Sequence, residues 1–169
     1  MPSREEPAAP DTGIRPSDTS ALSIRPSAGA GDHPALAAIW RRAVDATHDF
    51  LTQADRDEID AKLQTDYFPA VELSVAEREG RPVGFSGVLD GTLEMLFVEP
   101  TLRGSGIGTA LLTHAVDEHG VTRVDVNEQN DSAARFYARR GFEVIGRSAN
   151  DEAGRPYPLL HLRLSAPSS

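Results

Sequence analysis

The spacing of apolar residues changes along the chain, and each change marks an element. Between Asp32 and Ala46, the residues Leu36, Ile39, Trp40, Ala43 and Val44 recur at i, i+3, i+4, i+7 and i+8, which is one face of a helix. Asp32 stands where the cap of that helix belongs. Thr52 can cap a second helix, with Ile59 and Leu63 turned inward and Pro69 beyond its end. The period then falls to two. Val71, Leu73 and Val75 alternate as a strand, Glu79-Gly80-Arg81-Pro82 reads as a hairpin turn, and Val83 to Leu89 is the return strand. Asp90-Gly91 is a second tight turn. Leu93 to Val98 is apolar on both faces except at Glu94, the pattern of a central strand. After a glycine-rich loop the spacing predicts a helix over 105–119 and a strand over 121–126. Asn130 then opens a helix that stops at Gly141, with Arg139 and Arg140 in its last turn. Phe142 to Gly146 and Pro158 to Leu164 are the last strands, and a short β-like run, Ala21 to Arg25, ended by Pro26, precedes the first helix. The order β-α-α-β-β-β-α-β-α-β-β predicts an α/β fold with a mixed sheet.

Composition sets the limits. A chain of 169 residues, 39% of them hydrophobic, supports one domain with a sizeable core. Residues 1–20 hold four prolines and one large aliphatic residue, Ile14, too little to offset the entropy of ordering, and read as a disordered tail. The domain is expected over residues 21–165, with a frayed end at 166–169. No apolar run approaches the roughly 18 residues that a membrane helix needs. No basic, apolar leader opens the chain, so a cytoplasmic location is the expectation. The formal charge of −9 argues against a general nucleic-acid binder. The absence of cysteine removes disulfides, thiolate metal sites and a thiol nucleophile. Histidines 33, 114, 119 and 161 lack a metal-ligand spacing, and no metal is assigned.

The chemistry concentrates in the segment 98–109, where Gly104, Gly106 and Gly108 alternate just before an amphipathic helix. Glycine lets backbone N–H groups approach a ligand closely, and a helix N-terminus adds unpaired donors and the positive end of a dipole. The pattern reads as a pyrophosphate cradle; its other reading is a merely flexible turn. A Walker A loop is absent. A dinucleotide-binding fingerprint fits poorly, because the third glycine position falls on Thr109 or Leu111; Asp125 near the spacing of a ribose-binding acid keeps a nicotinamide oxidoreductase as an alternative.

Arg103-x-x-Gly106-x-Gly108, after a strand ending Leu96-Phe97-Val98-Glu99-Pro100, resembles motif A of the GNAT N-acetyltransferases. Asn130-x-x-Ala133-x-x-Phe136-Tyr137-x-x-x-Gly141-Phe142 resembles the family's motif B, in the family's order and spacing. The resemblance covers roughly Ala21 to Leu164 and implies a mostly antiparallel sheet with splayed central strands. It implies transfer of an acetyl group from acetyl-CoA to a primary amine: a protein lysine, an N-terminal amine or a small amine. By the same resemblance, the backbone of Leu96, Phe97 and Val98 would pair with pantetheine amides, and the amides of Arg103, Gly104, Ser105, Gly106, Ile107, Gly108 and Thr109 would hold the pyrophosphate. Asn130 would contact the cofactor, or cap its helix, or both. Tyr137 would donate to the leaving thiolate; its other reading is core packing beside Phe136. Glu94 is the candidate base, or else a solvated acid at a strand start. Thr47, His48 and Phe50 lie between the first two helices, where the family's acceptor binds, and Tyr157 could reach that cleft from the last hairpin. A non-catalytic acetyl-CoA sensor is the alternative function, and the chain is expected to be a monomer or homodimer.

Overall fold

The computed structural model describes residues 22–165; the tail over 1–20 and the end at 166–169 lie outside the described residues. The elements follow the expected order. They are β1 (Leu22–Pro26), α1 (His33–Thr47), α2 (Gln53–Lys62), β2 (Glu72–Arg78), β3 (Arg81–Leu89), β4 (Thr92–Val98), α3 (Ile107–His119), β5 (Arg123–Asn127), α4 (Asp131–Ala138), β6 (Phe142–Ser148) and β7 (Leu159–Leu164). One seven-stranded sheet runs β1-β2-β3-β4-β5-β7-β6, and β4–β5 is its parallel pair among antiparallel neighbours. A dinucleotide-binding fold would need a mostly parallel sheet, so this topology removes the nicotinamide alternative.

Alternation along the strands sorts the core onto two faces. Leu36, Ile39, Trp40 and Val44 of α1 meet Leu73, Val75 and Phe85 on one. On the other, Ile107 and Leu111 of α3 meet Ala76 and Val83, while Leu112 and Ala115 pack with Leu93, Val124 and Tyr137. Both tight turns have the left-handed backbone that a two-residue hairpin demands: Glu79 and Gly80 at φ 56° and 77°, Asp90 and Gly91 at φ 50° and 79°. The first turn is shorter than expected. Arg81 and Pro82 already belong to β3, and a register slip beside Glu77 accommodates them.

Thr52 caps α2 as expected, accepting a bond from the Asp55 amide at 3.1 Å. Asp32 does not cap α1 with its side chain. Its carboxylate turns back to the Ala28 amide and to a bidentate pair with Arg25 at 2.9 Å, and the Arg25 guanidinium holds it well below the usual carboxylate range. Pro26 is the last residue of β1, ending the strand as expected, and α4 stops at Ala138, leaving Arg139 and Arg140 in the turn beyond.

The glycine loop is positioned by close contact between α3 and β3. A Cβ at Gly84 would stand 3.0 Å from the Phe97 carbonyl oxygen and 3.2 Å from both Ile107 and Leu111. Gly84→Ala is expected to cost about 1–3 kcal/mol, the usual penalty of overpacking. A thermal melt checks this; an unchanged Tm would mean that α3 can lift from the sheet without loss.

Candidate active site

The sheet opens at its centre. Strands β4 and β5 pair only through Thr92↔Arg123 and Leu93↔Val124, then diverge. Against β3, Val88 faces Leu93 while Gly87 faces Met95, so Glu94 is the extra residue of a β-bulge. A bulge bends its strand and re-aims a side chain. Past Leu93 the β4 edge that faces β5 has no partner strand. The fork leads into a cleft of about 560 Å³, walled by β4, β5, the glycine loop and α4.

At the outer end of the cleft, Gly104 and Gly106 adopt φ 83° and 92°, and no neighbouring atom comes within 4 Å of a Cβ placed there. The α3 N-terminus has no side-chain cap, and the Ser105 hydroxyl is spent on the Leu102 carbonyl at 2.5 Å. The first amides of α3 are therefore open donors beside the cleft, as an anionic group requires. Arg103 reaches across to the Ser132 hydroxyl at 2.9 Å and ties the loop to α4. Arg140 donates to Thr109 Oγ1 at 2.7 Å and to the Phe136 carbonyl at 2.9 Å, and its guanidinium lies 3.9 Å over the Phe136 ring. Arg139 and Arg140 both line the cleft. In the sequence they read only as cations at a helix end, and nothing in their spacing shows which way the turn presents them.

Deeper in, Glu94, Leu96, Phe97, Val98, Asn130 and Tyr137 share the wall. The Asn130 carbonyl accepts from the Ala133 amide at 3.1 Å, so it caps α4 while its amide N–H₂ has no partner among the described residues. Tyr137 is buried with its ring edge-on to Phe136 and Phe142, at centroid distances of 5.2 and 5.7 Å. Its hydroxyl makes no hydrogen bond among the described residues, and burial pushes it above the ordinary phenol range. Glu94 has open cleft on one side and is exposed by area. The protein around its carboxyl still crowds out enough water to push it up to about 7, and the Glu152 and Asp125 carboxylates add to that rise.

The four acceptor-side residues divide. Thr47 and His48 line the cleft; Phe50 and Tyr157 do not. The Thr47 hydroxyl donates to the Ala43 carbonyl at 2.8 Å, so at 2.7 Å from His48 Nδ1 it acts as acceptor, and the imidazole keeps a free Nε2. Burial, then Arg56, lowers His48 to about 4, against the opposing pull of Asp49, so it is neutral at pH 7. Tyr157 is buried, and its hydroxyl donates to Asp55 and accepts from the Thr52 amide at 3.3 Å. That pins the last loop to the start of α2, with Phe50 against its ring at 6.1 Å. Ser105 and Ile107 also lie off the cleft surface, Ile107 because it is a core residue beneath the loop. Among the described residues no group of three or more His, Asp or Glu side chains could hold a metal ion, and no helix is long and apolar enough to cross a membrane.

A forked sheet whose cleft has open backbone amides at one end and the Glu94 carboxyl at the other is shaped for group transfer from an anionic donor. The family profile described as an acetyltransferase (GNAT) domain matches residues 69–144. The peptidyl-lysine N-acetyltransferase YjaB of Salmonella typhimurium is 47% identical over 128 residues, 75% of this chain and 88% of that protein. Its namesake from Escherichia coli is 44% identical, covering 75% and 86%. The solution structure of apo-form YjaB from Escherichia coli superposes with a TM-score of 0.78 at 41% identity, over 86% of this chain and 99% of that one. The chain belongs to the GNAT family and is an acetyl-CoA-dependent N-acetyltransferase.

Proposed function

We propose that the acceptor is a lysine side chain of a protein and that the acetyl group passes to it directly. The observation behind this reading is that one continuous cleft holds the anion cradle, the Tyr137 ring and the Glu94 carboxyl. The name of the YjaB relatives supports the choice of lysine. Acetyl-CoA supplies a thioester, with an acyl carbon open to attack and a thiol as leaving group. The residues of the chain do the rest. Amides of the glycine loop and the α3 N-terminus take the pyrophosphate, and the unpaired edge of β4 pairs with the amides of the pantetheine arm.

A lysine ammonium with an ordinary pKa near 10.4 is only about one part in 10³ neutral at pH 7 and must lose a proton before its nitrogen can attack. Glu94, raised to about 7, is matched to accept that proton near neutral pH. As the C–N bond forms and the C–S bond breaks, the Tyr137 hydroxyl gives its proton to the leaving sulfur and is restored by the second proton that the attacking nitrogen sheds. His48 presents a neutral ring to the same cleft and adds no positive charge to repel the ammonium.

Thermal shift tests the donor half. Acetyl-CoA at about 100 times its Kd adds roughly 2.7 kcal/mol, and each kcal/mol moves Tm by about 2–4 °C in a domain of this size. A rise of several degrees with acetyl-CoA and none with NAD is expected. Release of CoA thiol with three acceptors tests the other half: an Nα-acetylated lysine peptide, a lysine-free peptide with a free N-terminus, and spermidine. Turnover with the lysine peptide is the expected result. Turnover confined to either of the others would replace lysine as the acceptor.

A further inference from the structure

A line of three polar side chains crosses the last three strands of the sheet and ends in the cleft. Asp125 is the first residue of β5 beyond the Leu93↔Val124 pair, so it stands at the fork as Glu94 does on β4, and both line the cleft. Across the β5–β7 ladder Asp125 is in register with His161, and its Oδ1 lies 2.7 Å from His161 Nδ1. The other ring nitrogen, Nε2, lies 2.6 Å from Ser148 Oγ on the edge strand β6. A carboxylate only accepts, so Nδ1 carries the proton that Asp125 receives; in the neutral ring Nε2 then accepts from the Ser148 hydroxyl. Both ends of the imidazole are fixed.

We propose that His161, oriented by Ser148, is a positioning residue that acts through Asp125: it holds that carboxylate at the fork so that its second oxygen receives the ammonium of the incoming amine. This rests on the amine-acetylating reading above. Three facts support it. Asp125 Oδ2 has no hydrogen-bond partner among the described residues, so one oxygen is fixed and the other is left over. The Asp125–His161 pair is about one-third exposed on both sides, and such pairs add little to stability, so folding alone does not account for a three-residue line. The line also ends at the cleft rather than in the core, and outer partners of this kind fix the orientation and tautomer of the group that does meet the ligand. The two carboxylates then have separate tasks. Asp125 holds the amine, while Glu94 exchanges the proton. His161 meets neither substrate, and Ser148 and His161 both lie off the cleft surface.

The test pairs spectra with kinetics on the full chain. Long-range ¹H–¹⁵N spectra of the imidazole should show His161 as the Nδ1–H tautomer, and Asp125→Asn should disturb that preference. His161→Ala should raise KM for the Nα-acetylated lysine peptide about tenfold, the order of one charge-assisted hydrogen bond, with KM for acetyl-CoA unchanged and kcat little altered. His161→Asn, whose side-chain amide falls near the place of Nδ1, should restore most of the loss, whereas a merely structural role would leave Asn and Ala alike. An Nε2–H tautomer, an unchanged peptide KM in His161→Ala, or equal defects in the two variants would overturn the inference. If the unmodified enzyme acetylates no lysine peptide, the lysine reading falls. The His161 inference is then decided with whichever other amine is turned over, the peptide with a free N-terminus or spermidine: a KM for that amine unchanged in His161→Ala overturns it.

Discussion

Tyr137→Phe is expected to lower turnover roughly 10²–10⁴-fold, the usual worth of a positioned general acid, while acetyl-CoA still binds. The substitution is unusually clean here. The ring fills a slot between Phe136 and Phe142, and phenylalanine fills the same slot. The hydroxyl has no hydrogen-bond partner among the described residues, so its removal orphans no group in the core, and Tm should hold or rise slightly. Since burial raises the Tyr137 hydroxyl above its ordinary range, it stays protonated through neutral and moderately alkaline pH. It should therefore impose no alkaline limb on the rate below about pH 10. The check is single-turnover kinetics, which isolates chemistry from product release, beside an acetyl-CoA titration of the same variant. Unchanged single-turnover rates would leave Tyr137 as a packing residue alone.

Much of this site is local, and what is local is legible in the sequence. The alternating glycines, the Thr52 cap, the two left-handed turns and the Asn130 cap are each decided within a few residues, and each lies where the pattern puts it. Other features depend on distant partners. That Glu94 occupies a bulge follows from how β4 registers against Gly87 and Val88, which no period along β4 reveals. Asp125 becomes a cleft residue only because β4–β5 pairing ends one residue before it. Asp32 has the residue type and place of a cap, yet a buttressing Arg25 on β1 and the Ala28 amide compete for its carboxylate and win. Tyr157 is near the right loop for an acceptor contact, but Asp55, about a hundred residues earlier, captures its hydroxyl and turns it into a strut. The errors thus fall where a side chain had to choose between partners far apart in the chain.

Glu94→Gln is the second large effect, and it should act on rate and stability in opposite directions. In the native enzyme kcat/KM should climb about tenfold per pH unit up to near 7 and then level off, because only the ionised carboxyl accepts the amine's proton. The Gln variant should lose that limb and fall within the roughly 10²–10⁴-fold range of a lost acid–base group. For stability the sign follows from linkage. The folded carboxyl titrates near 7 against an ordinary value of 4.5, so the folded state binds the proton more tightly than the unfolded chain. The native protein is thus best placed below about 4.5 and loses ground as pH rises to 7, beyond which the cost of holding a charge where the protein crowds out water, and beside Glu152 and Asp125, stays constant. Gln carries no such charge, so the variant should melt higher than the native chain above pH 7, and the advantage should shrink toward zero as pH falls to 4.5. Because Glu94 is open to the cleft on one side, solvent screens part of this and the gain should be modest. Paired melts and pH–rate profiles read both effects on the same samples. A surviving acid limb with the stability gain intact would mean that Glu94 is crowded as described but that the proton leaves by another route, through ordered water in the cleft.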